Sequence, residues 1–357
     1  MKIGIYARGI SEESGGAKVY IESLIKEVTP LIQNNDELFI IHNLKKPYFR
    51  SDKKNVHEIL LKSNSKVICD FFISPKVINS LRLDVCLFPK DVIPFFIKCK
   101  KVVTILDMGY YRPEFNAYKL VYNIYMKIMI KSSCNGADKI ISISDNTKEE
   151  IKKILKINKD KIRTISLATY FNPNFKNTKR EKEKYIFYSG SISPRKNLIR
   201  LIKAFEKLGD KDIQLYITGN NMWNNKKEMQ LIKNNPKIKV LGLVSESELR
   251  KLYQNALLYV YPSLYEGFGL PILEAQACGC PVITSNVSSM PEVAGKGAIL
   301  VNPHNVNEIA NAIENVTNNK RLRKRLVKEG YKNVKKFSWK KCAKETLKVC
   351  EEVYNEK

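Results

Sequence analysis

The chain has no run of about 18 uninterrupted apolar residues, so no segment reads as a membrane-spanning helix. Its eight cysteines form no Cys-x-x-Cys pair and no metal-ligand spacing. That argues against a zinc site or a disulfide framework, and for scattered reduced thiols in a cytosolic protein. A G-x-G-x-x-G fingerprint is missing after the first strand, which leaves a dinucleotide site poorly supported. The opening Met1-Lys2-Ile3-Gly4-Ile5-Tyr6 reads as a strand, not as a signal peptide. Nor is there a basic tail to account for the net charge of +26. Residues 1–175 hold 29 basic and 18 acidic side chains and the remainder holds 33 and 18, so the excess covers both halves. Such a surface suits nucleic acid, an anionic membrane or a phosphate-bearing substrate. A lysine-rich surface with no partner explains it equally well.

What is present fits two globular α/β domains. The length of 357 residues allows two cores, and 44% hydrophobic residues can fill them. The stretch around which the chain is organised is Glu266-Gly267-Phe268-Gly269-Leu270-Pro271-Ile272-Leu273-Glu274, continuing Ala275-Gln276-Ala277-Cys278-Gly279-Cys280-Pro281. The apolar run 256–261 before it reads as a buried parallel strand, ended by Pro262 and Ser263. The pattern turns helical over 270–277, and Gly279 stands where a helix end favours a left-handed residue. A strand, a glycine loop and a helix start place backbone N–H groups and a helix dipole where phosphates are held. Glu266 and Glu274 are separated by eight residues, roughly two helical turns. A carboxylate accepts at two oxygens, which suits the vicinal hydroxyls of a ribose or hexose.

This segment resembles the E-G-F-G-L-P-x-x-E donor-sugar signature of retaining glycosyltransferases of family 4, which have the GT-B fold. The match continues through Pro281 to Ser289-Met290-Pro291-Glu292-Val293. The resemblance implies two facing, doubly wound Rossmann-like domains with a C-terminal helix crossing back to the first. It also implies that Glu266 faces the transferred sugar, that Glu274 holds the nucleotide ribose, and that Gly267, Phe268, Gly269 and Leu270 line the donor site.

Other stretches extend the likeness. The turn Gly190-Ser191-Ile192-Ser193-Pro194-Arg195-Lys196-Asn197 follows an expected strand 185–189. Cations at a helix start oppose its dipole, and they make sense there if an anion lies between them. The turn resembles the family's G-x-x-x-P-R-K-N, whose lysine meets the donor diphosphate, with Arg195 assisting Lys196. Gly15 and Gly16, before a helix expected over 17–31, let backbone approach a ligand closely. They resemble the family's first glycine loop, facing acceptor and phosphates, and from the residues alone they fit a plain turn as well. Gly219 ends the next strand, and by the resemblance the base lies near Leu243. Asp107, with Pro113 and Glu114, matches a pattern that in the family begins His-Asp. Leu106 stands at the histidine position, so an imidazole that would help hold the sugar is missing. From its residues alone, Asp107 also fits a cap for the turn that follows.

The organisation expected is 1–170 for the acceptor domain, 171–184 as linker, 185–338 for nucleotide-sugar binding and 339–357 as the returning helix. Asn146 and Glu149 fit a capping box, and in a helix over 118–134 Met126, Ile128, Met129 and Ile130 read as core. Asp210-Lys211-Asp212 has a D-x-D form, but it joins a helix to a strand, so a turn is expected and no metal is assigned. The implied activity is metal-independent, retaining transfer of a hexose from a UDP- or GDP-linked donor to a glycan or lipid-linked acceptor. Surface polysaccharide or glycolipid assembly would use it. Glu266, Asp107, Lys196 and Arg195 are the catalytic candidates, and no cofactor beyond the donor is expected. A catalytically weak or inactive nucleotide-sugar-binding protein of the same fold is the alternative. A nucleic-acid partner lacks an aromatic-basic motif. The location expected is cytoplasmic, with peripheral contact to an anionic membrane. The cations for that contact are Lys45, Lys46, Arg50, Lys53 and Lys54, or Lys98, Lys100 and Lys101 beside Phe95, Phe96 and Ile97.

Overall fold

The computed structural model describes residues 1–11, 15–44, 46–49, 51–63, 65–115, 119–173, 183–210, 212–220 and 226–356. Residues 12–14, Lys45, Arg50, Lys211 and most of the expected linker, 174–182, lie outside the described residues. The rest forms two compact units. One comprises Met1–Tyr110, Leu120–Leu167 and Ser338–Lys357, and the other Tyr111–Lys119 and Ala168–Phe337.

The first unit carries strands β1 (Lys2–Tyr6), β2 (Glu37–His42), β3 (Val56–Leu60), β4 (Val85–Phe88), β5 (Lys100–Ile105), β6 (Lys139–Ser142) and β7 (Ile162–Thr164). Their order is β3-β2-β1-β4-β5-β6-β7, and every pairing is parallel. A parallel sheet is covered on both faces, so its inner strands need continuous apolar sequence. Val85-Cys86-Leu87-Phe88 in β4 meets that need and is fully buried. The helix Trp339–Asn355 packs in this unit. Its buried Trp339, Cys342, Val349 and Val353 recur at helical spacing. Trp339 stacks on Tyr20 of the helix Gly16–Val28 at 6.4 Å between centroids.

The second unit repeats the design with β8 (Glu183–Ser189), β9 (Gln214–Thr218), β10 (Ile238–Gly242), β11 (Ala256–Tyr261), β12 (Val282–Ser285) and β13 (Ala298–Val301). The order is β10-β9-β8-β11-β12-β13, all parallel. In such a sheet the chain winds outward in both directions from the central pair. The crevice beyond the carboxyl ends of that pair is where ligands bind. Here the central pair is β8 and β11. The turn after β8 holds Arg195 and Lys196, and the loop after β11 holds Glu266.

Several local expectations change. The helix Asp145–Leu155 is capped by Ser144, whose hydroxyl accepts from Thr147 N–H at 3.0 Å, and not by Asn146. Ser144 takes the cap because its backbone is extended, as that position requires. The helix expected over 118–134 runs Leu120–Gly136, and Tyr118 lies outside the described residues. Met126, Met129 and Ile130 are buried in it, but Ile128 is 59% exposed. Ile128 sits two residues beyond Met126 and so turns away from the core face. The capped helix at Ser245 forms as expected, with Glu248 and Ser245 completing a reciprocal box.

Candidate active site

Glu266 is 7% exposed and sits among four donors. Lys196 Nζ donates to its Oε1 at 2.6 Å and Arg195 to its Oε2 at 3.0 Å. The Tyr261 and Ser263 hydroxyls also donate to Oε1, at 2.8 and 2.5 Å. Lys196 in turn donates to the Tyr261 hydroxyl. Burial pushes the Glu266 carboxyl up, but Arg195 and Lys196 outweigh it and bring it down to about 2. The Tyr261 hydroxyl is held well above its usual range by burial and by the adjacent Glu266 charge, so it remains a donor. Glu266 is therefore an anion at any physiological pH and has no proton to give as a general acid. Two cations against one carboxylate leave the cluster net positive.

Backbone geometry ties the two loops together. Leu264 N–H donates to the Arg195 carbonyl at 2.9 Å, and Arg195 donates to the Tyr265 carbonyl at 2.6 Å. Asn197 adopts φ +60°, a left-handed conformation that asparagine tolerates. Its amide donates to the carbonyls of Pro262 and Pro303 at 2.8 and 2.7 Å. The asparagine of the P-R-K-N turn thus fastens β8's exit to β11's. Ser288 and Ser289 donate to the Glu266 carbonyl at 2.6 and 2.9 Å, which fixes the base of the glycine loop. Gly269 opens the helix Leu270–Ala277 at φ +106°. Gly219 has φ +140°, and a Cβ there would lie 2.1 Å from the Gly190 carbonyl oxygen. Only glycine lets the turns after β8 and β9 lie so close.

Glu274 has a different environment. Burial raises its carboxyl to about 7; the Tyr253 hydroxyl, donating at 3.1 Å, lowers it, and the Glu246 charge raises it further. Tyr253 is fully buried, and Ser189 Oγ lies 2.5 Å from its hydroxyl. Ser189 also meets Tyr259 at 3.1 Å. A hydroxyl chain thus runs from Glu274 to the last residue of β8, immediately before Gly190.

The structure brings together Arg195, Lys196 and Glu266, with Gly190, Gly219, Gly267, Phe268, Gly269, Leu270 and Glu274 on the same sheet edge or the loops and helix leaving it. Phe268 and Leu270 are buried, whereas Leu243 is 59% exposed beyond β10. Gly15, Gly16 and Asp107 belong to the first unit. Gly15 caps the helix Gly16–Val28 at φ +129°. Asp107 Oδ1 accepts from Gly109 N–H at 2.7 Å, which closes a turn. Asp210 accepts from Asp212 N–H at 2.9 Å in the same way. Phe115 stacks on Tyr265 at 5.7 Å, and Arg112 lies 5.6 Å over that ring. Tyr261, Ser263, Ser288, Ser289 and Tyr253 carry no site role in the sequence pattern. Ser263, three residues before Glu266 on a strand-ending loop, carried a usable signal. Tyr253 becomes visible only once sheet order places it beside β8.

The family model described as glycosyl transferases group 1 matches residues 170–333. The chain is 31% identical over 265 residues to O-antigen chain mannosyltransferase B of Escherichia coli, spanning 70% of this chain and 69% of that protein. Among solved structures, sucrose-phosphate synthase from Thermosynechococcus elongatus superposes with a TM-score of 0.81 at 18% identity, covering all of both chains. Anabaena HepE, in complex with UDP and glucose, gives 0.77 at 15% identity over 98% of this chain and 99% of that one.

Proposed function

The chain belongs to the glycosyl transferases group 1 family and has the GT-B fold, and we propose that it is a retaining hexosyltransferase of family 4 using a UDP- or GDP-linked sugar. Mannose is the leading candidate for the sugar, because the Escherichia coli relative is by name an O-antigen chain mannosyltransferase. The acceptor is a glycan or lipid-linked glycan in surface polysaccharide assembly. The observation that carries the reading is the net-positive cluster of Arg195, Lys196 and Glu266 at the central strand pair of the second unit.

In this reading Lys196 and Arg195 face the donor diphosphate and Glu266 accepts hydrogen bonds from the sugar hydroxyls. Glu274 takes the ribose. The bond from the anomeric carbon to the diphosphate oxygen breaks while the acceptor oxygen bonds to the same face. The acceptor's hydroxyl proton passes to the departing diphosphate. Fixed cations and backbone dipoles stabilise the charge that grows there, which supports a reaction without a divalent metal.

The test is a panel of UDP- and GDP-sugars assayed with and without a chelator, followed by the anomeric configuration of the product. A product of inverted configuration would refute retention, and activity abolished by chelation and restored by manganese would refute metal independence. The apolar Leu106 at the family's imidazole position favours a second reading, a binder without turnover. Stabilisation by a nucleotide diphosphate without turnover of any sugar would select it.

A further inference from the structure

Fifteen large apolar side chains are exposed among the described residues, and eight of them lie in three short segments of the first unit. The segments are residues 66–73, the loop at Phe96, and the start of the helix Leu120–Gly136. They adjoin one another. Phe71 stacks on Phe95 at 4.8 Å, and Phe95 N–H donates to the Asp70 carbonyl at 3.1 Å. The Tyr125 hydroxyl of the helix donates to the buried Asp70 carboxylate, which also pairs with Arg8. Val121 lies four residues before Tyr125 and Ile128 three after it, so both share its side of the helix, with Ile124 beside them.

This helix carries apolar side chains on its outer side as well as its inner one. Its inner side chains meet the core, while Val121, Ile124 and Ile128 are exposed. Exposed apolar side chains clustered on one side of a helix mark a surface that a partner or a membrane covers. Phe96 is 78% exposed and held at φ +61°. Asn79 fixes that conformation by donating to the Phe96 carbonyl at 2.9 Å and accepting from Lys98 N–H at 3.0 Å. A bulky residue in a left-handed conformation costs free energy, and an outward-facing ring recovers none of it from the core.

Charge identifies the occupant. Residues 67–80, 94–99 and 120–136 contain four lysines and a single acid, Asp70, which is buried against Arg8. Lys76, Lys98 and Lys131 are exposed at the margins. Two copies of such a face would repel each other, whereas an anionic lipid surface complements both the lysines and the apolar side chains. We propose that this face of the first unit docks on an anionic membrane, with Ile68, Phe72, Phe96, Val121, Ile124 and Ile128 entering the interface. The proposal does not depend on the chemistry of the second unit.

It also revises the contacts expected from sequence. Lys45 and Arg50 lie outside the described residues. Lys53 is committed to the Pro30 and Ile32 carbonyls at 3.0 and 2.7 Å. Lys100 and Lys101 lie 3.8 and 4.0 Å from Asp138, and Ile97 is buried. From that list Phe96 and Lys98 stand on the docking face.

Flotation of the full chain with phosphatidylcholine vesicles, with and without phosphatidylglycerol, tests it. The wild type should float with anionic vesicles at low salt and be released at high salt. Phe72→Ser combined with Phe96→Ser should lower recovery by about tenfold or more with an unchanged melting temperature. Ile124→Glu combined with Ile128→Glu should do the same, and Lys98→Glu with Lys131→Glu should weaken binding at low salt. Equal recovery on neutral and anionic vesicles, or wild-type binding by the folded variants, would overturn the proposal. A dimer in light scattering that these variants dissociate, with no vesicle binding, would assign the face to self-association instead.

Discussion

Two glutamates eight residues apart end in opposite electrostatic states. Glu266 is ionised by Arg195 and Lys196, and Glu274 is driven toward its neutral form by burial. Glu266→Gln keeps the volume and removes the charge. The cluster then loses one negative charge and becomes more positive, so nucleotide diphosphate binding should hold or tighten. Turnover should fall by about a hundredfold or more if the carboxylate orients the sugar in the transition state. Calorimetric titration with the diphosphate beside a turnover assay measures both, and loss of diphosphate affinity would contradict the assignment. Glu274 gives a pH prediction. Its folded carboxyl titrates near 7, above the ordinary 4.5. Between those values the folded chain holds more protons than the unfolded chain, so Glu274's contribution to stability is full at low pH and is lost as pH rises through 7. Relative to Glu274→Gln, the wild type should therefore lose melting temperature between pH 5 and pH 7 and stay level above. The carboxylate form accepts ribose hydroxyls better, so nucleotide affinity should rise over the same interval. A wild-type-minus-variant difference that is flat across this range would dismiss both expectations.

Elements place these residues, and they were legible in the sequence to different depths. The helix Leu270–Ala277 was readable because its glycine, proline and apolar residues all mark the same boundaries. Arg195 and Lys196 were readable as cations in want of an anion. Their partner in this structure is Glu266, and that pairing needs β8 and β11 to be neighbours, a fact of sheet order that local pattern does not contain. The Tyr253–Ser189–Tyr259 chain was hidden for the same reason. Strand β3 has a weak signal in the sequence because Val56-His57-Glu58-Ile59-Leu60 is half-polar, as an edge strand can be. The closest approach of two elements gives a test. Gly219→Ala puts a methyl 2.1 Å from the Gly190 carbonyl and forces an alanine to φ +140°. The turns must separate, at a cost of about 2 kcal/mol or more. Thermal melting should drop, and nucleotide diphosphate affinity should drop with it because the turn bearing Lys196 moves. A variant with wild-type melting would show that the two turns are loosely coupled.

At the scale of the whole molecule, the units do not follow chain order. The helix Trp339–Asn355 lies late in the sequence but packs in the first unit, with Val349 and Val353 buried there. Residues 111–119 come from the first half of the chain but group with the second unit, where Phe115 meets Tyr265. Each unit has its own sheet, and Arg195, Lys196, Glu266 and Glu274 all fall in the second. A ligand that binds one folded unit stabilises that unit by mass action and leaves the other unaffected. Nucleotide diphosphate should therefore raise one of two calorimetric transitions. Val349→Asp in the full chain makes the complementary perturbation. It buries an unpaired carboxylate where Val349 is 1% exposed, and several kcal/mol should be lost from a domain whose stability is only about 5–15 kcal/mol. The transition that does not respond to nucleotide should move down or vanish. The responsive one should keep its ligand shift, although the substitution lies 75 residues beyond Glu274 in sequence. Loss of the nucleotide-responsive transition in this variant would mean that the two units unfold as one, and that the second cannot hold its site without the first.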